Sequence, residues 1–239
     1  AGGGGCCVGP RAVAAEGPTV ALTSGLASHA AAIEGRGGDL EERLGGPEGA
    51  AAAAAARREV WSTLFAVRWH AGTLVANYAV TLGIFPAISG MVTSTAPSPA
   101  WRGLFPAVLF VVFNLGDMAA RLAPPSCHLV RGRSTFALAL SRIALIPLFM
   151  VCHMRPGDSA VPTLLPSDAA PLLLLALLAA SNGFLTACPL IYGPLSVPPP
   201  EQKQAASLLV LALNVGLTLG SLLSFLLHGL VCSCNPFVN

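Results

Sequence analysis

Charge is scarce in this chain. Only 10% of its 239 residues are Asp, Glu, Lys or Arg, against about 25% in an ordinary soluble domain. Lysine occurs once, as Lys203, so no polybasic cluster exists to hold an anionic membrane surface. The formal net charge of +2 is too small to argue for nucleic acid as a partner. Seven cysteines are scattered as Cys6, Cys7, Cys127, Cys152, Cys188, Cys232 and Cys234, with no CxxC pair among them. That spacing argues against both a metal site and a disulfide framework. Cys152 and Cys188 lie in apolar runs and read as small core residues. A Gly-rich phosphate loop of the Walker type is also missing, so ATP drive has no support. No cofactor, metal or catalytic residue is expected.

Hydrophobic residues fill the space that charge leaves. They make up 54% of the chain, and the mean hydropathy is +0.70. This composition implies an integral membrane protein. Residues 1–58 differ: they are rich in Gly and Ala and include the mixed-charge patch GRGGDLEERLGGPEG and the run Ala50 to Ala56. Few large apolar side chains are present to offset ordering entropy, so a disordered loop is the expectation. The Ala run offers an alternative, a helix continuing through ARREVW to the membrane surface. The chain does not begin with Met and shows no signal peptide, and a fragment is expected.

Five apolar blocks follow, near 71–92, 104–122, 135–154, 169–195 and 205–231. Each is long enough to span roughly 30 Å of hydrocarbon at about 1.5 Å per residue. Backbone groups in lipid must be paired internally, so each block is predicted to be a helix. Residues 59–234 are therefore expected to form an all-α transmembrane domain of five helices. Arg57, Arg58, Arg68, Arg131, Arg133 and Lys203 gather on one side of it, while only Arg102 and Arg155 lie in loops of the other. The bias places residues 1–58 in the cytoplasm and the C-terminus outside or in a lumen.

Among eleven acidic residues only Asp117, in the stretch FNLGDMAARL, falls within an apolar block. Arg121 follows at i+4 on the same helix face, and Asn114 precedes at i−3. A lone charge near mid-membrane costs about 2.5 kcal/mol or more, and an i,i+4 partner lowers that cost. Two readings stand side by side. One is a polar clamp between helices, with Arg121 reaching toward the headgroups. The other is a water-filled path where Asp117, Arg121 and Asn114 bind a polar solute. Ser181, Asn182 and Asn214 are further polar steps in apolar helices, able to line a path or to bond across helices. Gly183, Gly193, Gly216 and Gly220 are read as close-packing positions, and Pro86 and Pro147 as kinks. Arg142 either competes for Asp117 or snorkels, and snorkelling is the expectation. His153 and His228 are expected at the interface.

The stretch FNLGDMAAR resembles the Phe-Asn-x-x-Asp-x-x-Gly-Arg motif of the equilibrative nucleoside transporters. GIFPAISGMVTST, SRIALIPLFMVCHMRP, ASNGFLTACPLIYGP and LNVGLTLGSLLSFLLHGLV are similar, in order and spacing, to that family's seventh, ninth, tenth and final helices. The resemblance covers about residues 60–232. It implies helices seven to eleven of an eleven-helix, major-facilitator-like fold, the C-terminal bundle, with residues 1–58 as the remnant of a cytoplasmic loop. It also implies facilitative, ion-independent movement of nucleosides, and in some members nucleobases, by alternating access. The implied partners are a nucleoside, the lipid bilayer and an N-terminal helical bundle, and the protein is not expected to be an enzyme. The plasma membrane is the expected location, an organellar membrane the alternative.

Carried over, Asp117 and Arg121 match the residues that meet the sugar hydroxyls. Three departures are visible: Ala120 stands where the family has Gly, Met118 where it has an aromatic, and Phe184 where it has Tyr. Two other functions compete. A non-transporting membrane scaffold fits these five helices equally well. An intramembrane aspartyl protease is prompted by LGD at 115–117, but it needs two carboxylates in one site.

Overall fold

The computed structural model describes residues 47–122, 132–154 and 162–232. Helix α1 runs Pro47–Ile84 and α2 Ala87–Met91. Helix α3 spans Pro99–Leu122, α4 Gly132–Ser141 and α5 Leu145–Met150, with a 3-10 turn Arg142–Ala144 joining the last two. Helix α6 spans Ala169–Leu195, and a 3-10 turn Pro199–Glu201 leads into α7, Gln202–Cys232. Among the described residues, five helical stretches are long and apolar enough to cross a membrane: Gly49–Met91, Pro99–Leu122, Gly132–Met150, Ala169–Leu195 and Pro199–Val231. The outer faces of α3 and α7 expose large apolar side chains such as Phe110, Leu115, Leu222 and Phe225. Such faces suit hydrocarbon, not water, and the chain is a multi-pass integral membrane protein.

Most of the expected loop over 1–58 lies outside the described residues, as do Arg131 and Arg155 of the charge count. From Pro47 onward the chain is helical, the alternative that the Ala run offered. The cause is the Ala run, because Ala has the highest helix propensity and loses no side-chain entropy. Both predicted kinks mark breaks. Pro86 has no N–H for Leu82, and α1 ends at Ile84. Pro147 has none for Ile143, and the helix tightens there into the 3-10 turn Arg142–Ala144.

Glycine sets two close helix pairs. A Cβ at Gly216 would lie 2.9 Å from the Cα and carbonyl oxygen of Val75, and one at Gly220 2.6 Å from the carbonyl oxygen of Tyr78. Backbone therefore meets backbone where α7 crosses α1, as the small-residue stripe predicted. Helices α3 and α6 approach in the same way through Gly116 and Gly183.

Most of the buried apolar residues fall into two clusters. One gathers Val67, Leu74, Ala205 and Leu209 toward the end bearing Arg68 and Lys203. The other gathers Ile84, Ile88, Phe105, Phe113 and Phe149 toward the opposite end, where Phe85 stacks on Phe113 with ring centroids 4.0 Å apart. Polar side chains occupy the layer between them.

The loops at that opposite end are fastened by Asp168. Its carboxylate accepts from the Ser94 hydroxyl, the Thr95 N–H at 2.7 Å, the Thr95 hydroxyl at 3.0 Å and the Trp101 indole N–H at 3.1 Å. Burial alone would raise the carboxyl's pKa, but these four donors outweigh it and hold the group below its ordinary value. A depressed carboxyl stabilises the fold above the unfolded pKa of about 3.9 and ceases to as pH falls through the folded one. Asp168→Ala is therefore expected to cost about 1–2 kcal/mol at pH 7. The gap to wild type in a thermal melt of purified protein should begin to narrow as pH falls below about 4 and go on narrowing as the folded carboxylate takes up its proton. A gap that does not change with falling pH would mean the carboxylate's charge is not what fastens the loops.

Candidate functional site

Three helices bring their polar side chains to one layer of the bundle. From α3 comes the predicted pair. Arg121 Nε donates to Asp117 Oδ2 at 2.8 Å, and Arg121 Nη2 reaches Asp117 Oδ1 at 3.3 Å. The i+4 spacing does this: one turn stacks the guanidinium over the carboxylate, in near-bidentate geometry. Side-chain exposure is 39% for Arg121 and 17% for Asp117. The pair thus sits at the rim of the bundle, with the cation outermost and the carboxylate half sunk.

Helix α6 supplies the inner contact. Asn182, nearly fully buried, donates from Nδ2 to Asp117 Oδ1 at 2.7 Å. The reach is short because Gly183 lets α6 lie against α3. A Cβ at Gly183 would fall 2.9 Å from that of Ala120 and 3.1 Å from the Arg121 nitrogen. So the methyl of Ala120, which departs from the family pattern, is received by a glycine on the facing helix.

Helix α1 supplies what the sequence reading missed. Asn77 Nδ2 donates to Asn182 Oδ1 at 2.9 Å and to Thr186 Oγ1 at 3.2 Å. The Thr81 hydroxyl donates to the same Asn182 oxygen at 2.8 Å. The Tyr78 hydroxyl lies 3.4 Å from Arg121 Nη2 and 3.3 Å from Thr186 Oγ1. The signal was present in the segment NYAVT, with Asn77 and Thr81 at i and i+4 inside an apolar block. Uncharged, they drew less notice than Asp117.

Arg142 overturns an expectation. It neither snorkels nor bonds Asp117; it is 3% exposed, inside the bundle. Its Nη1 donates to the Asn77 backbone oxygen at 3.1 Å and to Asn77 Oδ1. Its Nη2 donates to Thr81 Oγ1 and to the Leu178 carbonyl, each at 2.9 Å. Only its Nε–H lacks an acceptor among the described residues. The physical reason is register. Thr135, Ala139, Arg142, Leu145 and Phe149 form one buried stripe at a spacing of three to four residues, so Arg142 points at α1 and α6 instead of at lipid.

The remaining predicted residues are dispersed. Asn114 is exposed on α3 and donates to the Phe110 carbonyl at 2.8 Å. Ser181 bonds its own helix, at the Leu177 carbonyl. Asn214 is exposed on α7 and donates to the Val210 carbonyl at 2.9 Å. Asp117, Arg121 and Asn182 are thus brought together, and Asn114, Ser181 and Asn214 do not join their hydrogen-bonded cluster.

The profile of the family described as "Nucleoside transporter" matches residues 34–229. The chain belongs to the nucleoside transporter family. Relatives in that family include human equilibrative nucleoside transporter 2, 37% identical over 71% of this chain. Rat equilibrative nucleoside transporter 3 is 35% identical over 63%, and mouse equilibrative nucleoside transporter 1 is 34% identical over 64%. The chain spans 38% of the length of the human relative, and 33% and 35% of the other two. Its matching region includes every residue of the polar layer, so the Asp117–Arg121 pair and its support lie within the part of the chain that the family shares.

Proposed function

We propose that this chain is the C-terminal bundle of a facilitative nucleoside transporter, and that Asp117 and Arg121 hold the solute. The observation that carries the reading is the half-sunk ion pair on α3. A salt bridge serving only as a clamp between helices would be expected to join two of them. This one joins two residues of the same helix, and although hydrogen bonds tie it to Asn182 on α6 and Tyr78 on α1, the guanidinium stays 39% exposed. A carboxylate accepts from sugar hydroxyls, and a guanidinium donates to hydroxyl and ring oxygens, so the pair offers complementary groups to one face of a ribose. Among the described residues Asp117 is paired with Arg121 and Asn182, not with the second carboxylate that the protease reading needs.

Alternating access fits this reading: the bundle rocks against an N-terminal partner bundle, and the exposed polar residues Asn114, Arg121 and Asn214 face the path between them. The end bearing Arg68, Arg133 and Lys203 is cytoplasmic, in keeping with positive charge retained inside. Movement is down the gradient and needs no ion or nucleotide. Nucleosides are the solute class, with nucleobases as a further possibility for the same path, and the plasma membrane is the expected site.

The test is uptake of radiolabelled uridine by the full-length protein in transporter-deficient cells, with surface amounts matched by blotting. Asp117→Asn and Arg121→Ala are each expected to lower uptake by about tenfold or more, since each removes a charge-assisted bond of roughly 1.5–3 kcal/mol. Saturable uptake undiminished in both would reduce the pair to packing. Absence of wild-type uptake of any nucleoside would favour the scaffold.

A further inference from the structure

The polar layer has a direction. Arg142 can only donate hydrogen bonds, and ionised Asp117 can only accept them. Two amides, Asn77 and Asn182, lie between these ends, and a primary amide can be turned either way round. The ends remove that freedom. Arg142 Nη1 requires an oxygen from Asn77, so the Asn77 Nδ2 faces Asn182 and meets its oxygen at 2.9 Å. The Asn182 Nδ2 is then the group left for Asp117 Oδ1, at 2.7 Å. Thr81 accepts from Arg142 Nη2, and its single O–H lies 2.8 Å from both the same Asn182 oxygen and the Asn77 backbone carbonyl. Every link of the amide chain through Asn77 and Asn182 is an N–H pointing from the cation toward the carboxylate.

We infer that Arg142 is a positioning residue for the solute site, acting through this one-way relay to fix the Asn182 amide and hence the free acceptor edge of Asp117. The inference rests on the assignment of Asp117 to the solute. With Asp117 Oδ1 bonded to Asn182 and Arg121 Nη2, and Oδ2 to Arg121 Nε, the lone pairs left for a ligand have a set direction. If the Asn182 amide turned over, its oxygen would face the carboxylate and push it out of place. Pre-organisation of this kind shows in affinity, because the order is present before the solute arrives.

Asn77→Asp separates the relay from a plain clamp. The new carboxylate still accepts from Arg142, now as an ion pair, but it has no proton to give Asn182. A clamp should survive this change; the relay should not. In the uptake assay with uridine, KM and Vmax are read separately, and the purified full-length protein is melted in parallel. Asn77→Asp is expected to keep the wild-type Tm while raising KM about tenfold, and to add nothing further in an Asp117→Asn background. Arg142→Lys, which keeps charge and donors, should raise KM less than Arg142→Met. A wild-type KM in Asn77→Asp, or additive effects in the double variant, would overturn the relay. Should Asn77→Asp lower Tm, the Arg142 pair decides: equal KM for Arg142→Lys and Arg142→Met overturns it. If Asp117→Asn itself leaves KM unchanged, the solute assignment fails and the relay's role falls with it. That result is distinct from a relay failure, in which Asp117→Asn raises KM and Asn77→Asp does not.

Discussion

Gly183→Val is expected to leave little folded protein. A Cβ at this position would collide with the Asp117 carbonyl oxygen and would stand 2.9 Å from the Ala120 Cβ and 3.1 Å from the Arg121 nitrogen. Two of these three atoms are backbone, so no rotamer change relieves the contact; α3 and α6 must separate. Overpacking a tight core costs about 1–3 kcal/mol when side chains can adjust, and more when helices have to move. Separation also lengthens the 2.7 Å bond from Asn182 to Asp117, leaving a carboxylate poorly compensated in a buried layer. Gly183→Ala should err in the same direction by a smaller amount. Gly103→Val is the control, since a Cβ at Gly103 meets nothing within 4 Å. Its cost is limited to helix propensity, and Val is if anything better than Gly there, by a few tenths of a kcal/mol. Size-exclusion profiles of the detergent-solubilised full-length protein should show a monodisperse peak for the Gly103 variant and aggregate for Gly183→Val. Similar profiles for the two would mean that α3 and α6 do not approach through Gly183.

How much of this was legible follows from what each residue type declares about itself. The five spans were readable because long apolar runs have one solution in hydrocarbon, and α6 was bounded at 169–195 as it is found. Asp117 and Arg121 were readable because a charge in such a run is costly and calls for a partner. The spacing of four then pairs them. What could not be read was rotation about a helix axis. Near Arg142 the sequence FALALSRIALIPLF is apolar on nearly every side, so no contrast marks the stripe Thr135, Ala139, Arg142, Leu145, Phe149 as the inward one. A lipid-facing Arg would snorkel; an inward one needs carbonyls and hydroxyls to receive it. Those receivers, Asn77, Thr81 and Leu178, come from two other helices. Their proximity is a tertiary fact with no local trace. Ala120 shows the same limit: read alone it departs from the family pattern, and only the facing Gly183 explains how the chain accommodates it.

Asn182→Asp is expected to do more harm than Asn182→Leu, although it is the closer isostere. Both remove the donor to Asp117 and leave that carboxylate to Arg121 alone. The leucine adds a shape mismatch and takes one acceptor from the Nδ2 of Asn77 and one from the hydroxyl of Thr81, which keep Thr186 Oγ1 and the Asn77 carbonyl, at about 1–3 kcal/mol in all. The aspartate keeps acceptors for those two donors, but it sets a second carboxylate against the first at the distance now spanned by a 2.7 Å hydrogen bond. At an effective dielectric of about 20, two unit charges about 3 Å apart repel by roughly 5 kcal/mol. Arg121 cannot offset this, because it already bonds Asp117 from the outer side and is 39% exposed. Arg142 cannot turn to the new charge without releasing the Asn77 and Leu178 carbonyls. The pair must therefore splay apart or share a proton, and either outcome removes the acceptor edge proposed for the solute. Uridine uptake by the full-length protein should fall by about a hundredfold or more in Asn182→Asp, and its melting temperature should lie below that of Asn182→Leu. If Asn182→Asp instead retains more uptake than Asn182→Leu, residue 182 serves as an acceptor for Asn77 and Thr81 and not as a donor to Asp117. The relay would then stop at residue 182 and would not reach Asp117.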